Sequence, residues 1–237
     1  MSAHDLSPLT HGIELRRSFD APDAPLMLIM DVDSTLIDQE VIDLLAAHAG
    51  REAEVAEVTE RAMAGELDFA ASLHARVEAL SGLPEGILAE VVEQVTPTAG
   101  AVSLIDAFRA RGWPAYAVSG GFAQILEPLA RRLGLTDFRA NHLEISEGAL
   151  TGRVTGPIVD REAKASHLRR WADEQGIPAR SVVGVGDGAN DIDMVRTAGI
   201  GVAFCAKPAL NDVADVLVTK RDLTLISRVL GLTPPQD

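Results

Sequence analysis

With 237 residues the chain can bury a sizeable core and still carry an insertion, so it needs no disulfide scaffold to fold. Its 35 acidic against 21 basic side chains leave a formal net charge of -14, an average field that repels polyanions and argues against nucleic acid as a partner. The same field repels a phosphate ester, so any phosphate site here needs its own concentrated positive charge from Lys, Arg, backbone N–H groups or a metal ion.

Residues 1–24 are mixed in composition and lack the basic, apolar and small-residue segments of a secretory signal. They read as an uncommitted arm without chemistry. Residues 25–31, PLMLIMD, form a short apolar run that ends abruptly in acid, as a strand buried on both faces of a parallel sheet does. Residues 46–97 are rich in Ala and Glu, helical in pattern and free of strand candidates, and read as an inserted helical cap. Within it Leu73, Val77 and Leu80 recur at helical spacing and face a core.

Two further apolar runs, 115–118 and 181–186, end respectively on Ser119-Gly120-Gly121 and on Asp187 with a Gly-Ala-Asn-Asp turn, and 200–204 reads as another strand. Helical patterns at 122–133, 164–175 and 192–198 alternate with them. Residues 143–154, with Gly148 and Gly152, predict a short hairpin beside the sheet. Such alternation makes the chain an α/β protein: an open parallel sheet from 25–45 and 98–237 with ligand sites beyond the carboxyl ends of its strands. The one cysteine, Cys205, lies in the apolar stretch GVAFCAK and reads as a buried core thiol. It suits a reducing cytoplasm. No run of about 18 uncharged apolar residues occurs, so a soluble chain without a membrane partner is expected.

The polar clusters fall where those strands end. Asp31 and Asp33, one residue apart, leave a strand end in different directions. A carboxylate there can attack phosphorus while its neighbour handles protons, Asp31 being the nucleophile and Asp33 the acid and then the base. For that pair alone, an acidic turn capping the next helix is the commoner reading. Ser119, Gly120 and Gly121 can cradle phosphate oxygens or simply make a turn. Lys164 offers a cation to balance nucleophile and phosphoryl group, although most helical lysines are solvated. Mg²⁺ takes oxygen ligands, for which the side chains of Asp31 and Asp187 and the main-chain carbonyl of Asp33 are the candidates. Asp191 stands one turn beyond Asp187 as its anchor, and Asn190 is placed to reach phosphate.

Taken together and in this order, the clusters resemble the haloacid dehalogenase superfamily of phosphohydrolases over about residues 25–225. DVDSTLIDQEVID, RAMAGELDFAASLHARVEAL, VSGGF, VGDGANDIDM and AFCAKP are similar to its phosphoserine-hydrolysing branch. The resemblance implies a Rossmann-like core with a small helical cap, Mg²⁺, a phosphoaspartyl intermediate, and O-phospho-L-serine as substrate in the last step of serine biosynthesis. It also implies that Glu40 takes the substrate ammonium, that Arg76 takes its carboxylate through a planar fork, and that Phe69, seven residues before Arg76, shields the site. Without the resemblance, Glu40 and Arg76 read as an ordinary surface ion pair. Two other functions share these residues: transfer to a small alcohol such as homoserine, or a silent binding protein that keeps the fold. Only 24 residues precede the first predicted strand, so serine sensing through an N-terminal domain is not expected.

Overall fold

In the computed structural model, which describes residues 11–19, 25–63 and 66–232, an eight-stranded sheet organises the chain. From edge to edge it runs β1 (Ile13–Leu15), β8 (Val216–Val218), β7 (Ile200–Phe204), β6 (Val182–Gly186), β2 (Met27–Met30), β3 (Ala115–Phe122), β4 (Asp137–Ser146), β5 (Ala149–Thr155). The six inner strands are parallel and the two edge strands antiparallel to their neighbours.

β2 sits mid-sheet because its four apolar side chains are all buried and alternate between faces. Leu28 and Met30 join the core made with α5 (Ala101–Arg109), α6 (Ala123–Leu133) and α10 (Thr224–Val229). Met27 and Ile29 face α7 (Arg161–Gln175) and α8 (Ile192–Thr197), where Tyr116 stacks on Trp171 with ring centroids 4.4 Å apart. Register then sets the site, because Met30 lies level with Ala117 of β3 and Val185 of β6. The tips of all three strands therefore reach the same edge of the sheet.

α1 (Val41–Ala49) runs across the anticipated boundary at 46 and stops at Gly50, whose φ of +63° provides the left-handed cap. α2 (Glu52–Met63), α3 (Phe69–Glu78) and α4 (Ile87–Gln94) follow. As the spacing predicts, Leu73, Val77 and Leu80 are buried in the main core. α2 is anchored differently: Val55 packs with Ala46 and Ala79 in a small separate apolar cluster.

The 143–154 hairpin is part of the sheet rather than beside it, since β4 pairs with β3. Its tip also binds the cap: the N–H groups of Gly82 and Glu85 donate to the carbonyls of Leu150 and Gly148, and Leu150 N–H donates to Leu83 O, each at 2.8 Å. Gly152, with φ +79°, must be glycine here, because a Cβ would come within 2.9 Å of Ser81 Cβ.

Two further expectations are corrected. Within the supposed arm, residues 13–15 form β1 and close the sheet edge against β8, while residues 1–10 and 20–24 lie outside the described residues. Cys205 is exposed rather than buried: β7 ends at Phe204 and the chain turns at Cys205 with φ +46°, carrying the thiol out of the core. Among the described residues no helix is long and apolar enough to cross a membrane.

Candidate active site

Beyond the tip of β2, the Asp31 carboxylate is almost completely buried and meets Lys164, which comes from the opposite side of the sheet. Asp160 caps α7 by accepting from Ala163 N–H at 2.8 Å, and this orients the first turn so that Lys164 points inward. Lys164 is wholly buried, with Nζ 2.6 Å from Asp31 Oδ1 and 2.7 Å from Asp191 Oδ1. The other Asp191 oxygen accepts from the N–H groups of Asp187 and Gly188, both at 3.1 Å. Both Asp191 oxygens are thus engaged. Gly186 permits the approach, since a Cβ there would lie 2.4 Å from Asp191 Cγ.

One carboxylate oxygen each from Asp31, Asp187 and Asp191 lie within 4.8 Å of one another. Burial, with Asp191 beside it, pushes the Asp31 carboxyl well above the ordinary carboxylate range, against the pull of Lys164. Asp187 is pushed up to about 6, first by burial and then by Asp191 and Glu40. Burial works against the Lys164 ammonium too, but Asp191 and Asp31 outweigh it and its pKa is raised. Lys164 thus pairs with two of the three carboxylates, while Lys207 stands nearer in effect to the third, Asp187. Among the described residues no hydrogen bond ends on the Asp187 carboxylate, so an oxygen donor set with surplus negative charge stands ready for a hard divalent cation.

Asp33 turns away from this cluster. Its Oδ1 accepts from Val41 N–H at 2.8 Å and its Oδ2 from Ser119 Oγ at 3.1 Å. Burial and then Glu40 raise its pKa to about 6, against the lowering effect of those two hydrogen bonds. Ser119 differs in placement from the phosphate contact expected of it. It is buried, does not line the cavity, and holds Asp33 while accepting from Gly121 N–H at 2.8 Å. Gly120 and Gly121 do line the cavity, and side chains there would strike Phe69 at 2.8 Å and Asp33 Oδ2 at 2.7 Å. Lys164 likewise lies behind Asp31, outside the cavity wall.

The cavity has a volume of about 310 Å³ and extends from Asp31, Asp33 and Asp187 to Glu40, Phe69, Arg76 and Asn190. Arg76, in the last turn of α3, uses Nε on Ser72 O at 3.3 Å, and among the described residues its terminal nitrogens make no hydrogen bond. Burial lowers its pKa while Glu40, Asp43 and Asp33 oppose that. Glu40, at the start of α1, accepts from Ser34 Oγ at 2.6 Å. Sequence reasoning missed Asp43, Thr59 and Lys207 in the wall. Lys207 had a signal: it follows β7, another parallel strand ending at this edge, and its N–H donates to Asp187 O at 2.9 Å. Thr59 had none, since α2 shows no pattern that distinguishes it.

A buried aspartate paired with a buried lysine at the tips of a parallel sheet, beside a cavity walled by helices, defines a class. The family model for haloacid dehalogenase-like hydrolases matches residues 28–196, and the chain belongs to that family, with its α/β Rossmann-like fold. More particularly, it is 51% identical over 207 residues to phosphoserine phosphatase SerB2 of Mycobacterium tuberculosis, covering 87% of this chain and 51% of that protein. It is 47% identical over 204 residues to the phosphoserine phosphatase of Streptococcus thermophilus, covering 86% of this chain and 95% of the other. A solved structure of a phospho-aspartyl intermediate analogue of phosphoserine phosphatase is similar with TM-score 0.82 and 40% identity, over 87% of this chain and 99% of that one. The chain thus spans about half the length of the mycobacterial relative and nearly all of the streptococcal one.

Proposed function

We propose that the chain is a Mg²⁺-dependent phosphatase that hydrolyses O-phospho-L-serine to serine and phosphate, with Asp31 as nucleophile. One observation carries this reading: a single cavity joins Asp31, which Lys164 backs, and Asp187 to Glu40 and Arg76, so a phosphate and an amino acid's two charges can be met at once. The relatives are named for that reaction, and the phospho-aspartyl structure supports the nucleophile.

The residues then divide the work. Asp31 attacks phosphorus and the P–O bond to serine breaks, while protonated Asp33 gives its proton to the leaving oxygen. Asp33, now a carboxylate, takes a proton from the water that cleaves the acyl-phosphate, which returns both aspartates to their starting states. A pKa of about 6 suits a group that alternates between these forms near neutral pH. A magnesium ion held by Asp31, Asp187 and the Asp33 main-chain carbonyl supplies, when bound, charge neutralisation for the phosphoryl oxygens. The Gly120 and Gly121 backbone and Asn190 orient those oxygens. Arg76 offers its free fork to the substrate carboxylate, Glu40 accepts from the ammonium, and Phe69 excludes water. A reducing, cytoplasmic setting fits a chain whose one cysteine is an exposed free thiol.

Turnover of O-phospho-L-serine under Mg²⁺, compared with phosphothreonine, sugar phosphates and nucleotides, tests this directly. A marked preference for phosphoserine is expected, and indifference among the four overturns the substrate assignment. Addition of homoserine, with a search for its phosphate, separates hydrolysis from transfer.

A further inference from the structure

Arg221 lies just beyond β8, near the far end of the chain from Asp31, yet all of its polar reach is spent on the turn that follows Asp33. Its Nε donates to Asp38 Oδ1 at 2.6 Å, one terminal nitrogen to Ser34 O at 3.1 Å and the other to Ile37 O at 3.0 Å. Its guanidinium also lies over the Phe204 ring, 5.9 Å from the centroid. The turn it grips needs such a grip. Ser34 holds φ +55°, a left-handed conformation costly for a non-glycine residue and kept only where surroundings over-determine it. From that residue, Ser34 Oγ donates to Glu40 Oε1 at 2.6 Å, and Glu40 lines the cavity opposite Arg76.

We propose that Arg221 is a positioning residue: by fastening the carbonyls of Ser34 and Ile37 and the Asp38 carboxylate, it fixes the Ser34 hydroxyl that aims Glu40 at the substrate. The inference rests on the phosphoserine reading only for what Glu40 recognises; the clamp stands on the geometry. Three acceptors at fixed spacing match the planar fork of arginine, whereas a lysine ammonium offers a single point of charge.

The test uses Arg221→Ala and Arg221→Lys in the full chain, with two readouts. Hydrogen exchange over residues 32–41 should quicken at least about tenfold in both variants while the sheet strands keep their protection, since the amides there lose their support. The KM for O-phospho-L-serine should rise about tenfold in both, with a clearly smaller change for p-nitrophenyl phosphate, which has no ammonium for Glu40 to meet. Unchanged exchange over 32–41 overturns the proposal whatever the enzyme hydrolyses. Full recovery by lysine, or equal losses on the two substrates, also overturns it, by reducing Arg221 to a surface charge or a general stabiliser. If the wild-type protein ignores phosphoserine, the functional reading fails, and the exchange measurement alone decides the clamp.

Discussion

The two ends of the cavity are built on different terms. At the phosphoryl end Asp31 and Asp187 follow the tips of adjacent parallel strands, and the buried Asp31 and Asp191 carboxylates are held by Lys164 and by backbone N–H groups. At the other end Glu40 stands just before α1 and Arg76 in the last turn of α3; they are exposed and half-buried respectively, and each side chain is steadied by one hydrogen bond. In the proposed function the first end carries the reaction and the second the choice of substrate, so damage at either end should be distinguishable in kinetics.

The largest expected effect is at the first end. Asp31→Asn should lower turnover by about 10⁴-fold and leave no acid-stable label after a quench with ³²P-substrate, because the nucleophile is gone. A retained phosphoenzyme puts the nucleophile elsewhere. Lys164→Met should cost about 3–5 kcal/mol of stability in a denaturant titration, since it strands Asp31 and Asp191 as buried like charges. A change below about 1 kcal/mol would mean that water or protons already compensate them.

At the second end, Arg76→Ala should raise the KM for phosphoserine about 100-fold while an aryl phosphate without a carboxylate changes only a few-fold. Equal losses on both substrates remove Arg76 from recognition.

The smallest effect concerns protons and metal. Asp33 and Asp187 have pKa values raised from 3.8 to about 6, so the folded metal-free protein holds their protons more tightly than the unfolded chain. Their contribution to stability therefore falls as pH rises from about 4 to about 6 and stays low above that. Saturating Mg²⁺ should restore about 2 kcal/mol at pH 7.5 and much less at pH 5, where protons compete for the same oxygens. An equal gain in Tm at both pH values argues against Asp187 as a ligand.

Much of this was legible in the chain because local chemistry carried it. PLMLIMD declares a buried strand and its stop in seven residues, and the glycines that close β3 and follow β6 mark the same sheet edge, although β3 runs through Ser119-Gly120-Gly121 to Phe122 rather than turning there. Other features depend on partners far away in sequence. β1 is only three residues long and pairs with a strand about 200 residues later, which no local pattern signals. Ser119 looks like a phosphate contact until Asp33, 86 residues earlier, takes its hydroxyl. In GVAFCAK nothing marks where the strand ends, and one residue decides whether the thiol is in the core or out of it.

The hydrogen bonds between residues 82–85 and the hairpin tip make the foot of α3 move with the sheet, and Arg76 stands one turn above that foot. α2 rests instead on the small apolar cluster of Ala46, Val55 and Ala79. The wall that bears Thr59 and the wall that bears Arg76 therefore stand on separate supports, one an apolar patch and the other a set of backbone hydrogen bonds.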